Sequence, residues 1–495
     1  MSDLTYEQLL ENMKHGTSNM LILGKPGCGK SYLIRKYSKE RKDILLTAPT
    51  GIAAMNINGK TVDSLFGLRP YRRTDFIELP NETNMQLLKD AAVLLVDEIS
   101  MVKFNTLDRV NNVAKAARGN SLPFGGLRLI FIGDLMQLEP VVDKFEASMI
   151  SGEYPGYIGD PGFYNAGSMA EKNFFRETFD CYFLKHNFRQ DKDVLFQGVL
   201  DEAREGKLST ISERLINGRF EDRDDYYQLY QEGYHFLTVT NNRAASINRQ
   251  ITERMAGDCY MSEPRVEFYT DCDWVISESR INKPLAIKKG MRVMFVVNDI
   301  GHDRRWANGT MGVVLGIGQC GGISNTVKVK VEMNGGYRIY DVGRIRNHFM
   351  GSVSGIPETV GFVENFPFVP AFATTIDKVQ GMTLAKAAIV LERDTRPNQI
   401  YVALSRVGSL SDMILLQRKL SPRDVKPSEK VIEFMRGIGS RLVDVRYEPS
   451  TSLAPSNSAS IVVNGGNPNI RVVVGNQNAN VKRTEYTILT NEVIE

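Results

Sequence analysis

The sequence predicts an α/β protein built on parallel sheets, with a small all-β segment inserted in its second half. Three observations carry this. Short apolar runs at 20–23, 91–96 and 129–132 read as buried strands, and each is followed by glycine or an acid. Residues 24–31, Gly-Lys-Pro-Gly-Cys-Gly-Lys-Ser, lie between the first run and a segment with the apolar spacing of a helix (Leu33, Ile34, Tyr37). Residues 326–333 alternate strictly, then Asn334-Gly335-Gly336 supplies turn chemistry and 337–340 returns, which is a β-hairpin pattern.

The 24–31 segment fits G-x-x-x-x-G-K-S/T, the phosphate-binding loop. Gly24, Gly27 and Gly29 allow the tight turn that aims backbone N–H groups at phosphate oxygens. Lys30 brings a cation to the β- and γ-phosphates of ATP, and the Ser31 hydroxyl suits Mg2+. Strand, loop and helix in that order put phosphate at a helix N-terminus. Asp97 and Glu98 directly follow the 91–96 strand. The first is placed to hold the Mg2+ shell through water and the second to activate an attacking water. Gln137 lies just past the 129–132 strand, where it can sense the γ-phosphate.

The bulk numbers narrow the class. The chain has 495 residues, a net charge of +3 and a sequence pI of about 8.4, so any basic surface must be local. Its five cysteines have no C-x-x-C pair and its five histidines no ligand spacing, which argues for a reducing compartment and against a disulfide frame or zinc site. No apolar run approaches the roughly 18 residues of a membrane span, and no leader pattern opens the chain. A soluble, cytoplasmic protein with no membrane partner is expected.

Taken in order, the motifs resemble the superfamily 1B DNA helicases, most closely the petite-integration-frequency family of the RecD-like group. The resemblance covers about residues 4–425. It rests on Leu4-Thr5-Tyr6-Glu7-Gln8, the loop at 24–31, Ala48-Pro49-Thr50-Gly51, Thr61-Val62-Asp63-Ser64-Leu65-Phe66, and Asp97-Glu98. It continues through Pro123-Phe124-Gly125-Gly126 leading to Gly133, Asn187-Phe188-Arg189-Gln190, the 375–384 segment, and Tyr401-Val402-Ala403-Leu404-Ser405-Arg406. The resemblance implies two RecA-like motor domains with ATP between them and an inserted Src-homology-3-like β-barrel. It implies adenine contact by Gln8 and γ-phosphate contact by Arg189 and Arg406 from the domain opposite the loop. It implies DNA contact by Thr50, Ser64, Phe66, Lys378 and Gln380, with Phe66 a candidate to stack on a base. It also implies 5′ to 3′ movement on single-stranded DNA and unwinding of duplex, in replication, recombination or repair. Asp63 and Asp377 depart from the family, which usually has histidine at both places. Aspartate repels phosphate, so a weakened grip is one expectation, and a helix cap or ion pair is the other.

The expected domains are 1–185 for the first motor, with a wedge-type insertion at 67–84, and 186–289 plus 366–447 for the second. The inserted β domain is 290–365. Its Lys328 and Lys330 stand opposite the hairpin valines and are candidates for nucleic-acid backbone contact. Residues 448–495 read as a linker and a β-prone or disordered tail, a candidate attachment for a replication or single-strand-binding protein. The partners expected are single-stranded DNA and duplex junctions, and the working unit is expected to be a monomer. Two other readings stay open on sequence grounds: an ATP-gated clamp on single strands that does not unwind, and a phosphate-loop polynucleotide kinase.

Overall fold

The computed structural model describes residues 3–68, 77–138, 179–269, 281–299, 305–320, 324–333, 336–353, 356–391, 395–448, 470–473 and 485–488. Residues 69–76 of the expected wedge, with Arg69, Tyr71, Arg72, Arg73 and Phe76, lie outside the described residues, as does most of the tail. The chain divides into units 1–445 and 446–495. In the second unit, Ile470–Val473 pairs antiparallel with Glu485–Ile488.

The first unit is organised by two parallel sheets. The larger has eight strands in the order Leu4–Thr5, Leu442–Arg446, Phe179–Leu184, Asn19–Gly24, Arg128–Gly133, Val93–Val96, Ile44–Ala48 and Lys60–Thr61. Its central pairings are all parallel. Strands of such a sheet are covered by helices on both faces, so they read as continuous apolar runs, and all four residues of Val93–Val96 are buried. The strand Leu442–Arg446, expected with the second motor, instead runs beside Phe179–Leu184 in this first sheet. The second sheet has five parallel strands in the order Ala373–Thr375, His235–Thr238, Ala387–Val390, Met413–Leu416 and Phe220–Glu221.

Functional side chains follow the carboxyl ends of these strands, where open α/β sheets bind ligands. Gly24, Asp97 and Asp134 each end or follow a strand of the first sheet. Asp377, Lys378 and Gln380 follow Ala373–Thr375 of the second. One hydrophobic core runs through both sheets and includes Leu21, Phe131, Leu237 and Ile389.

The all-β segment forms a five-stranded antiparallel sheet and a three-stranded one. Among the described residues both stay open, so no closed barrel is formed. The expected hairpin is present: Met333 opposes Gly336, leaving a two-residue connection. Val327, Val329 and Val331 are fully buried while Lys328 is exposed, as the alternation requires. Phe295 stacks on Trp306 with centroids 4.5 Å apart, and both belong to a core shared with Phe236 and Phe372 of the second sheet's layer. No described helix is long and apolar enough to cross a membrane.

Candidate nucleotide site and adjoining cleft

The phosphate-binding loop closes around its own lysine. Gly27 and Gly29 have φ of +82° and +86°, the left-handed region that favours glycine. A Cβ on Gly27 would lie 2.5 Å from the Arg189 Cβ and 2.7 Å from Asn187 Oδ1. Gly29 faces Phe188, and its carbonyl accepts from the Tyr6 hydroxyl at 2.9 Å. Lys30 heads the helix Lys30–Glu40, and its ammonium donates to the Gly24 and Lys25 carbonyls at 2.8 and 2.9 Å. Ser31 is the next residue in that helix.

Asp97 and Glu98 follow the strand Val93–Val96, both buried, and the Lys30 charge acts on Asp97. Asp97 Oδ1 accepts from the Glu98 N–H at 2.9 Å. Burial first, and Glu98 beside it second, push the Asp97 carboxyl well above the usual carboxylate range. Glu98 has φ +50° and its Oε2 is buried without a protein partner. Gln137 is buried likewise, with Oε1 unpartnered. A hydroxyl, a carboxylate and unsatisfied oxygens fit a hard cation that keeps much of its own water, which is the habit of Mg2+. No cluster of three or more His, Cys, Asp or Glu among the described residues could hold a metal by itself.

Two arginines approach the same acid. Arg189 belongs to the segment leaving Phe179–Leu184: Phe188 donates its N–H to the Gly27 carbonyl at 2.9 Å, so Arg189 is carried on the loop's own side. Through this contact and its neighbour Gln190, whose Nε2 donates to the Val407 carbonyl at 2.7 Å, Arg189 stands where the two sheets meet. Its Nη1 donates to the Ser405 carbonyl at 2.8 Å. Arg406 follows the helix Gln399–Leu404 of the second sheet and is 1% exposed. It donates to the carbonyls of Val402, Val379 and Met382 and to Ser405 Oγ. Burial, with the like charge of Arg189 adding, pushes Arg406 down to about 9, which leaves it cationic at neutral pH. Glu98 raises the value of both arginines, which places all three in one electrostatic neighbourhood.

Beside this lies a cleft of about 580 Å³. Thr50, Asp63 and Ser64 line it from the first sheet, Asp377, Lys378 and Gln380 from the second, and Met294, Asn298 and Asn308 from the β segment. Glu98 lines it too. Gln380 is 9% exposed, and neither its Oε1 nor its Nε2 has a protein partner. The next residue, Gly381, has φ +80°, and a Cβ there would be 3.3 Å from Glu98 Oε1.

Other expected residues are placed differently. Phe66 is 0% exposed and packs in the core with Val62 and Leu65, so it has no face to offer a base. Its motif gave an aromatic after Leu65, and a five-residue helix turned that aromatic inward. Gln8 is exposed, and its Oε1 accepts from the Thr5 N–H at 2.8 Å in a capping box. Lys328 and Lys330 are absent from the cleft lining. Lys328 stands opposite Asp341, and Lys330 lies 3.8 Å from the Tyr337 ring centroid. Asp377 is paired with Arg396. Asp63 is not the helix cap, because Thr61 accepts from the Ser64 N–H. Burial raises the Asp63 carboxyl, against the pull of Arg109 and Lys103.

Sequence reading missed the residues that join the two sheets. Asp134 is 0% exposed, and accepts from Arg204 Nη2 and from the Tyr401 hydroxyl, both at 3.2 Å. Asn398 Nδ2 donates to the Gln137 carbonyl at 2.9 Å. Tyr401 stood inside a quoted motif and Asp134 directly after Gly133, whereas nothing marked Arg204 or Asn398.

Comparison with known proteins agrees with this geometry. Residues 4–151 match the family model for PIF1-like helicases. An ATP-dependent DNA helicase Pif1 of Bdellovibrio bacteriovorus is 29% identical over 431 residues, covering 84% of this chain and 88% of that protein. A Pif1 helicase from Bacteroides, crystallised with ADP-AlF3 and single-stranded DNA, is similar with a TM-score of 0.74 at 28% identity, over 89% of this chain and 98% of that one. A structure of two coordinating Pif1 helicases at forked double-stranded DNA gives 0.71 at 27% identity, over 89% and 98%. With the phosphate loop, the acid pair and both arginines arranged as above, this chain is similar to the Pif1-like helicases over most of its length.

Proposed function

We propose that this chain is an ATP-dependent DNA helicase that moves 5′ to 3′ on single-stranded DNA and separates duplex ahead of it. The observation that carries the reading is the shared wall: Glu98, the candidate base, lines the same cleft as Thr50, Ser64, Lys378 and Gln380. A strand in that cleft lies against the group that would activate water.

The residues divide the work. Lys30 leaves its loop carbonyls for the β/γ-phosphates, and backbone N–H groups around Gly27 and Gly29 take phosphate oxygens. Ser31 and Asp97 would hold Mg2+, which supplies charge neutralisation at the β- and γ-oxygens. Glu98 accepts a proton from the attacking water, and Gln137 orients that water. Arg189 and Arg406 stabilise the charge on the transferring group, and Gln8 reaches the base. We read the two parallel sheets as RecA-like motors that close on ATP and open after hydrolysis. The open antiparallel sheets serve as the counterpart of the barrel, over the strand. Thr50, Ser64, Lys378 and Gln380 grip the strand. The working unit is a monomer, and the tail at 448–495 is an attachment for a replication or single-strand-binding protein.

The test is strand displacement on duplexes with a 5′ or a 3′ tail, with phosphate release followed in parallel. Displacement of the 5′-tailed duplex alone is expected. Binding without displacement would favour a clamp, and phosphate transferred to nucleic acid would favour a kinase.

A further inference from the structure

We propose that residues 396–399 form a relay from the strand cleft to Gln137, with Asp377 and Asn398 as positioning residues for DNA-stimulated ATP hydrolysis. The proposal rests on the helicase reading above and assigns a task to one of the two unexpected aspartates.

On the strand side, Asp377 lines the cleft next to Lys378, but its carboxylate is occupied. Arg396 Nη2 pairs with Oδ1, and Gln399 Nε2 approaches Oδ2 at 3.5 Å. The Arg396 N–H donates to Gln399 Oε1 at 3.0 Å, so the two partners of Asp377 are tied to each other. Gln399 is fully buried and is the first residue of the helix that leads to Arg406.

On the nucleotide side, the residue before Gln399 is Asn398. Its Nδ2 donates to the Gln137 carbonyl at 2.9 Å, and its Oδ1 accepts from the Ser428 N–H at 3.2 Å. Its backbone is left-handed, with φ +61° and ψ −5°. Such a conformation at a non-glycine residue persists only where the surroundings over-determine it. Here the Asn398 N–H is also held, by the Lys426 carbonyl at 2.6 Å. The Gln137 backbone is fixed at its other end by the Asp134 carbonyl, which accepts the Gln137 N–H at 3.0 Å. Asn398 thus sets one of the two anchors of a side chain whose Oε1 is buried and unpartnered.

The electrostatics give the relay its signal. A strand phosphate entering beside Lys378 repels Asp377 and attracts Arg396. Either displacement moves the 396–399 segment, which is bonded to Gln137 at one end of the helix and carries Arg406 at the other. Strand binding is read as a small shift in the groups that orient water and stabilise charge.

The experiment uses the full chain with oligo(dT) as the strand. Asn398→Asp tolerates the left-handed backbone and keeps the acceptor for Ser428, but replaces the donor facing the Gln137 carbonyl with an acceptor. Asn398→Gly keeps the backbone and removes both bonds. Arg396→Gln breaks the relay at its half-exposed end, where folding is least at risk. At saturating oligo(dT), each variant should lower the ratio of DNA-stimulated to DNA-free turnover by roughly 2–30-fold, the span of 0.5–2 kcal/mol couplings. ATP KM, oligo(dT) Kd and melting temperature should stay near wild type. Asn398→Asp with Arg396→Gln should be no worse than the weaker single variant, since both cut one path. An unchanged ratio in all three overturns the relay, as does a loss that merely tracks Kd or melting temperature. A wild-type chain whose ATPase ignores DNA would instead defeat the helicase reading itself.

Discussion

Glu98 shows how local geometry is spent on chemistry. Its φ of +50° breaks with the strand Val93–Val96, and its side chain lines the cleft beside Thr50, Lys378 and Gln380. A buried, unpartnered carboxylate oxygen is a poor stabilising feature and a good proton acceptor. Glu98→Gln keeps the shape and removes the basicity. It should retain ATP and oligo(dT) binding while turnover falls by on the order of 10²–10⁴. Phosphate release measured beside nucleotide binding checks this, and normal turnover would move the base elsewhere. Phe66 makes the complementary point. Its side chain is among the fully buried ones, so Phe66→Leu should act on folding and leave strand affinity alone.

The short helix Gln399–Leu404 is the element on which the two sheets meet. Its body contacts Asp134 through Tyr401, and Arg189 reaches across to the Ser405 carbonyl. The Arg406 fork meets three carbonyls and a hydroxyl, a pattern that lysine's point charge does not reproduce. Arg406→Lys is therefore expected to fail nearly as badly as Arg406→Ala, with DNA-stimulated kcat down by about 10³–10⁵ and ATP KM changed less. The β-hairpin gives a weaker expectation. With Lys330 over the Tyr337 ring, part of the hairpin's charge is already engaged. Replacing both by alanine should flatten the salt dependence of single-strand binding by no more than about 0.7 in log–log slope, the value of one phosphate contact. A change near twice that would restore both lysines to the DNA surface.

Across the whole molecule, stability has an acid limit written into the second sheet. His235 is buried in a central strand with Nε2 2.8 Å from Thr374 Oγ1. Burial, helped by Arg292, lowers its pKa from 6.5 to about 3. The folded value lies below the unfolded one, so between them the unfolded chain binds the extra proton. The contribution is complete above pH about 6.5 and is lost toward pH about 3, at up to about 1.4 kcal/mol per pH unit. Melting temperature should fall between pH 7 and pH 5, and His235→Gln should flatten that fall. An identical pH profile in the variant would assign the acid sensitivity to other groups. The joint between the sheets is costly to break for a related reason. Asp134 is wholly buried, so loss of Arg204 would leave a charge without its guanidinium partner.

What the sequence by itself determined is the chemistry that short segments encode: the phosphate loop between strand and helix, the acids after a buried run, and the alternation that sorts Val327, Val329 and Val331 from Lys328. In each case backbone periodicity and neighbouring residues dictate the environment, so a local pattern is enough. What only the tertiary structure decided depends on partners far away in sequence. Arg189 stands where the two sheets meet because Phe188 bonds to Gly27, about 160 residues earlier in the chain, and Arg189 itself to Ser405, 216 later. Leu442–Arg446 returns to the first sheet because an open strand edge there completes its hydrogen bonds. Phe66 turns inward because a core is available to it, and Asp377 is paired with Arg396, 19 positions later. Asn398 had no sequence signal at all. Its importance lies in a left-handed backbone and a carbonyl 261 positions away, and neither has a local trace.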